Sequence, residues 1–430
     1  MAEASFSDLP TDIFPDILHR LPPSTCRRLR LVCKSWRDGI DEHTEQQVRT
    51  KILTFIVPVN SGGDGRALVF DGKGGRRRHS WTYPCSEDKQ IRMVGTCNGL
   101  LCLHESRFGG GGGPSTITVT NPITGEKMVL PPVPESPEPE PLRAKRKYSF
   151  GYHPTTGLYK VVHIPWRDWR AAHAAVQVFT LGGTSWRTVP VLAAPGASYE
   201  RCCDAVSVDG WTYWLTAFSD DHRVMALDLK DDRVTAFDVP AAAQLLATSE
   251  WQLTNVHARL GLVVTTHERV EVWMLEGGGE QPRWRWIVDT RWWYWITAPQ
   301  LTYGRYILSA PLDARRLPED QWKVRWRVYR HKVGDLADGD GKNERLRRLM
   351  GNELITGEDG FNGEVFTFAY VETLEPLRHC RAIYSWMAMA YLSHHSLYRV
   401  GEGSKDLSKE DGIGRSKDVR ESNNIHQYFQ

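Results

Sequence analysis

Apolar positions in the first 48 residues follow a helical period. Leu9, Ile13, Ile17, Leu18 and Leu21 recur at three- and four-residue steps, the spacing of one helical face. Asp12 can cap this helix, which leaves Pro15 in the first turn, where a missing N–H costs nothing. Pro22-Pro23 ends it, and Ser24 can cap the next helix. A second stripe runs through Cys26, Leu29, Val32, Cys33, Trp36 and Ile40, opposite Arg27, Arg28, Arg30, Lys34 and Arg37. The pattern predicts a short helical hairpin. About 40 residues is near the lower limit of independent folding, so either the rest of the chain or a partner must cover these stripes.

Beyond residue 50 the period changes to that of strands. Apolar runs at 52–59, 67–70, 100–103, 117–119, 176–180, 224–229, 262–265, 270–275 and 365–370 alternate with turn chemistry. Asn98-Gly99, Asp209-Gly210, Asp231-Asp232 and Tyr303-Gly304 include residues that tolerate the positive φ of hairpin turns. Asn121-Pro122-Ile123-Thr124-Gly125 and His153-Pro154-Thr155-Thr156-Gly157 read as two copies of one unit. Gly210, Gly261, Gly304 and Gly351 each neighbour a strand-like run. Their spacing of roughly 40–50 residues is that of four-stranded propeller blades. The expected fold is thus a small all-α N-terminal module followed by an all-β domain, a β-propeller of six to eight blades. A pair of β-sandwiches would show the same strands without the long period.

Composition narrows the functional classes. Lys+Arg 54 against Asp+Glu 52 leaves a net charge of +2, with no global field to gather nucleic acid or anionic lipid. No stretch of 18 apolar residues occurs, so no membrane span is expected. The start, MAEASFSDLPTDIF, lacks a basic segment followed by an apolar one, which argues against secretion. Eight Cys in 430 residues is too few for a disulfide scaffold, which points to a reducing compartment, nucleus or cytoplasm.

Candidate chemistry is sparse. Cys97 and Cys102, Cys202-Cys203 and His394-His395 do not form paired zinc-ligand spacings, so neither metal nor cofactor is expected. No G-x-S-x-G elbow is present. Gly109–Gly113 lacks the Lys-Ser/Thr of a phosphate loop and reads as a loop tip. Asp220-Asp221 and Asp231-Asp232 fall at expected turns, where Asp is favoured for backbone reasons. The basic clusters Arg76–His79 and Arg345–Arg348 read as solvated loops, and the segment from 401 to 430 as a polar, disordered tail. Trp284, Trp286, Trp292, Trp293, Tyr294 and Trp295 crowd one short segment. Packing between blades and an aromatic recognition surface are both open for them; Trp292, Trp293 and Trp295 are the candidates for target binding. The largest irregular insertions, at 62–75, 106–114, 131–146 and 334–348, are expected to include those that rim a binding face.

Two resemblances sharpen this picture. The run Leu9-Pro10, Ile13, Ile17-Leu18, Leu21-Pro22, Leu29, Val32-Cys33-Lys34 and Trp36-Arg37 resembles the F-box. That resemblance implies a three-helix module docking on a Skp-type adaptor of cullin–RING ubiquitin ligases through Leu9, Pro10, Ile13, Ile17, Leu18, Leu21, Pro22, Leu29, Val32, Cys33 and Trp36. The segments GTCNGLLCL (95–103), ITVTNPITGEKMVLPP (117–132), YSFGYHPTTGLYKVVHI (148–164), AVSVDGWTYWLT (205–216) and VMALDLKDDRVTAFDVP (224–240) resemble, in order, the plant F-box-associated domain. VEVWML (270–275) and VFTFAYVETLEPL (365–377) continue the series. The resemblance implies residues 1–48 as adaptor-binding helices and 50–396 as a propeller-like domain that recruits an unknown protein for ubiquitylation, without catalysis of its own. The alternatives are a propeller enzyme acting on a sugar or small molecule, and a non-ligase scaffold whose helices cap the propeller.

Overall fold

The computed structural model describes the strands between Lys51 and Tyr370, the connections 98–99, 121–126, 153–158, 181–186, 209–210 and 229–232 in full and parts of others as far as residue 266, residues 371–374 and 377, and eight positions between 17 and 40. Every strand pairing is antiparallel. Sheet 1 begins with β1 (Lys51–Pro58), β2 (Gly65–Phe70) and β3 (Arg77–Tyr83). Sheet 2 contains β4 (Lys89–Cys97), β5 (Leu100–Arg107), β6 (Thr116–Thr120) and β7 (Lys127–Val129). Sheet 3 contains β8 (Lys147–Tyr152), β9 (Tyr159–Ile164), β10 (Ala174–Thr180) and β11 (Arg187–Val191). In sheet 4, β12 (Ser198–Tyr199) and β13 (Val206–Val208) both pair with β14 (Trp211–Phe218), followed by β15 (Asp221–Asp228) and β16 (Arg233–Asp238). Sheet 5 contains β17 (Glu250–Val256), β18 (Arg259–Thr265), β19 (Val270–Glu276) and β20 (Arg283–Thr290).

Sheet 6 is less regular. Its strands are β21 (Pro299–Tyr303), β22 (Tyr306–Ser309), β23 (Leu312–Arg316), β24 (Trp322–Lys332) and β25 (Glu353–Thr356). The start of β24 pairs with β23, and its later part lies between β22 and β25. The last strand, β26 (Gly363–Tyr370), then returns to sheet 1 and pairs with β1 over its whole length. The first and last of the described strands thus share one sheet. The inner strands β26, β4, β8, β13, β17 and β21 touch their neighbours in an unbroken ring. A closed ring of radially arranged sheets is the propeller architecture, in which sheet faces are buried by their neighbours.

The core lies in the seams between consecutive sheets. One cluster joins sheets 1 and 2 around Phe55, Tyr83, Met93 and Leu101. A second joins sheets 2 and 3 around Val119, Phe150, Val161 and Phe179. A third joins sheets 3 and 4 around Val162, Trp214 and Leu227, and a fourth joins sheets 4 and 5 around Leu215, Trp251 and Leu262. Middle strands are therefore covered on both faces, and all six residues of β9 are buried. Seven of the nine apolar runs read from the sequence lie wholly on strands, and the other two, 52–59 and 224–229, extend one residue beyond β1 and β15. The outer strands β3, β7, β11 and β16 are half polar because each has an open edge. Arg77, Arg78 and His79, expected in a loop, belong to β3, and the expected insertion at 62–75 is interrupted by β2.

The two similar turn motifs share chemistry but not position. Asn121 Oδ1 accepts from the Ile123 and Thr124 amides at 3.0 and 3.4 Å; His153 Nδ1 accepts from the Thr155 and Thr156 amides at 3.3 and 3.2 Å. In both, the fifth-residue glycine amide returns to the first carbonyl at 2.9 Å, with Gly125 and Gly157 at φ of 76° and 71°. Yet the first joins the third and fourth strands of sheet 2, and the second joins the first and second strands of sheet 3. The likeness comes from turn chemistry rather than from a blade repeat. The glycine spacing also fails to mark equivalent positions. Gly210 is in a turn at φ 79°, whereas Gly261 lies within β18, where any Cβ would meet Val256 at 2.3 Å.

Candidate functional site

Strand alternation gives the ring two unlike faces. Connections between first and second strands, and between third and fourth, emerge on one face. That face carries the turns at Asn98-Gly99, 121–126, 153–158, Asp209-Gly210, 229–232 and Ala258. It also receives the strand ends that bracket 71–76, 277–282 and 333–352. The opposite face receives the strand ends bracketing 59–64, 108–115, 130–146, 165–173, 239–249 and 291–298. As a second strand, β1 starts at the turn face, so the N-terminal module joins there.

Seven of the eight described positions of that module are helical, Leu21 lying in a bend, and they include a small core. Cys26 and Ile40 are buried, and Leu21, Leu29 and Trp36 pack against them, each partly exposed. Ile17 is helical, its carbonyl accepts the Leu21 amide at 3.2 Å, and its side chain is 39% exposed. Four expected adaptor-facing residues are thus placed: Ile17 outward, and Leu21, Leu29 and Trp36 half inward. Leu9, Pro10, Ile13, Leu18, Pro22, Val32 and Cys33 lie outside the described residues.

Trp292, Trp293 and Trp295 also lie outside the described residues, as do Gly109–Gly113, Cys202-Cys203, Arg345–Arg348, His394-His395 and 401–430. The strands that bracket the tryptophan run, β20 and β21, meet it at the loop-rich face. Earlier members of the aromatic segment separate by role. Trp284 packs against the seam of sheets 4 and 5, and its indole N–H donates to the Asp238 carbonyl at 3.0 Å. Trp286 is 51% exposed.

A charged group buried between sheets 3 and 4 was not foreseen. Lys160, in β9, meets Asp232 at 2.7 Å, and the Arg187 guanidinium also reaches that carboxylate. Lys160 and Asp232 side chains are 4% and 3% exposed. Burial and the Arg187 charge push the Lys160 ammonium down to about 8, against the pull of Asp228 and Asp231. Asp232 adopts φ 51° at the expected hairpin turn. Nearby, burial lowers the His153 imidazole below its ordinary value although Asp228 lies 3.9 Å away. These groups neutralise one another within a seam, so the Asp231-Asp232 pair serves the fold. A lysine inside the apolar run Tyr159–Ile164 was the legible signal. Cys97 lies in β4 and Cys102 in β5, and burial raises the Cys102 thiol. Among the described residues no group of three or more His, Cys, Asp or Glu is placed to hold a metal, and no helix is long and apolar enough to cross a membrane.

The architecture is that of a β-propeller preceded by a helical module, and comparisons with known proteins agree. The family model of the F-box associated beta propeller domain matches residues 71–290, and that of the F-box domain matches residues 6–44. The chain belongs to the F-box-associated β-propeller family and is a plant F-box protein with that domain C-terminal to the F-box. It is similar to F-box protein At3g07870 of Arabidopsis thaliana, 26% identical over 308 residues, covering 64% of this chain and 71% of the relative. Putative F-box/kelch-repeat protein At3g17570 of the same plant is 25% identical over 250 residues, covering 53% and 58%. Among solved structures, the WD40 domain of SCAP from fission yeast aligns with a TM-score of 0.33 and 9% identity, covering 72% of this chain and 80% of that one. Prolyl oligopeptidase B from Galerina marginata aligns with a TM-score of 0.32 and 9% identity, covering 75% and 46%. Likeness at that level carries no inference about activity. The family points to a receptor role rather than catalysis.

Proposed function

We propose that this protein is the substrate-recognition subunit of a Skp–cullin–F-box ubiquitin ligase, working inside the cell in nucleus or cytoplasm. Residues 1–48 dock on a Skp-type adaptor through Leu9, Pro10, Ile13, Ile17, Leu18, Leu21, Pro22, Leu29, Val32, Cys33 and Trp36. The propeller within 50–396 is built of six blades, one for each sheet, and holds a target protein for ubiquitylation and proteasomal degradation. No bond is made or broken by this chain. Its contribution is effective concentration, keeping the target near the transferring enzyme.

The observation that carries the reading is the F-box match at 6–44 joined to a propeller at its turn face. The strand ends bracketing most of the long connections, and those bracketing Trp292, Trp293 and Trp295, lie on the other face, which supports target capture there. The test is co-purification of the full chain with adaptor and targets. Replacing Leu9 and Pro10 by Ala should abolish adaptor recovery with the propeller still folded; retained adaptor would sink the assignment. Replacing Trp292, Trp293 and Trp295 by Ala should remove targets and spare the adaptor. Unchanged target recovery would move the site elsewhere.

A further inference from the structure

The chain beyond β26 does not leave the ring where that strand ends. Residues 371–374 lie along the turn face from sheet 1 to the β4–β5 turn, and Leu377 lies in the seam of sheets 2 and 3. The Val371 carbonyl and Thr373 lie so close to Gly99 that a Cβ there would meet each at 2.5 Å. Gly99 also has φ 86°, so both the backbone conformation and the passing segment require glycine. Asn121 Nδ2 donates to the Thr373 carbonyl at 3.1 Å, and the Leu377 amide donates to Glu126 Oε2 at 2.6 Å. The Leu377 side chain is 3% exposed within the cluster that joins sheets 2 and 3. At the other end, Glu372 pairs with Lys51, the first residue of β1, and with His79 of β3 at 2.7 Å. His79 is itself stacked on Trp81 at 5.2 Å.

We propose that residues 371–374 and Leu377 act as a strap that couples closure of the ring to the junction where the N-terminal module joins it. Strand pairing of β26 with β1 closes the ring once. The strap closes it a second time, because Leu377 is seated two seams away while Glu372 holds Lys51. Loosening either anchor therefore loosens the other. The inference concerns the fold and stands whether or not the chain recruits an adaptor.

Hydrogen exchange of the full-length chain tests it. Glu372→Gln removes the charge that holds Lys51, and amides at 51–54 should exchange roughly two- to fivefold faster, the worth of a partly exposed ion pair. Leu377→Ala leaves a cavity in the distant seam, and exchange should rise on the order of tenfold or more at 117–120 and also at 51–54. Leu377→Val, with a smaller cavity, reads the same coupling if the alanine variant does not fold. Unchanged exchange at 51–54 in Glu372→Gln would overturn the strap as an anchor of the junction. A Leu377 variant that loosens only its own seam would overturn the coupling.

Discussion

The two sides of β9 solve the same burial problem with different chemistry. Toward sheet 2, Tyr159 and Val161 meet Phe150, Phe179 and Leu181 in an apolar seam, with Tyr159 and Phe150 rings 5.9 Å apart. Toward sheet 4, Val162 and Ile164 pack in another apolar cluster, but Lys160, two residues before Val162, carries its charge to Asp232. The apolar side gains by removing surface from water. The charged side must first overcome desolvation, so its pair contributes little net stability while a broken pair costs much. One side therefore tolerates partial loss, and the other tolerates only the loss of both partners together.

The largest expected effect is on the charged side. Asp232→Asn keeps a residue suited to φ 51° but leaves Lys160 uncompensated, which should cost about 3–5 kcal/mol in urea unfolding. On the apolar side Val161→Ala should cost roughly 2 kcal/mol, from two lost methyl groups and the space they leave. A larger loss there than in Asp232→Asn would reverse the comparison. The double variant Lys160→Met with Asp232→Asn should return to within about 1 kcal/mol of the parent, because no unpaired charge remains buried. If it is as unstable as Asp232→Asn alone, the charge has a role that packing cannot replace.

The smallest effect separates the two turn motifs. His153→Asn should be nearly neutral at pH 7, since Asn121 accepts the equivalent amides in the sister turn. In the parent, His153 is held below its ordinary 6.5 in the fold, so the unfolded chain binds the extra proton between the two values. Stability is present above 6.5 and is lost as pH falls through that window. Thermal unfolding between pH 7 and 5 should show this acid sensitivity in the parent and less of it in His153→Asn. Equal slopes would assign the sensitivity to other groups; Glu372 would lose its contribution only at lower pH, as the unfolded carboxyl protonates near 4.5. Burial opposes its ionisation, but Lys51 and His79 hold its carboxyl below the usual range.

Much of this fold was legible because inner and middle strands are buried on both faces and read as apolar runs. Leu100–Leu103 and Val224–Leu229 are examples. The helical stripe through Cys26, Leu29, Trp36 and Ile40 was legible for the same reason. Outer strands such as β16, buried on little of their surface, carry no comparable apolar run, and β16 was legible only from the Asp231-Asp232 turn and the motif at 224–240. Lys160 escaped because its partner lies 72 residues away across a seam. The division into two faces depends on strand order, which apolar periodicity does not encode. Leu377 looked like the end of an apolar segment, and only the returning chain reveals it as an anchor.

Closure of the ring has a consequence for the order in which the molecule is made. A ribosome releases the helical module first, and β1 must then wait for β26, whose Tyr370 faces Lys51 across almost the whole domain sequence. Until that strand emerges, β1 presents an unpaired edge, and so long-range a pairing is slow to find. A nascent or truncated product thus carries its F-box segment complete while its receptor domain is still open. The helical module is synthesised long before the domain behind it can close, and β26 is the strand that completes that closure.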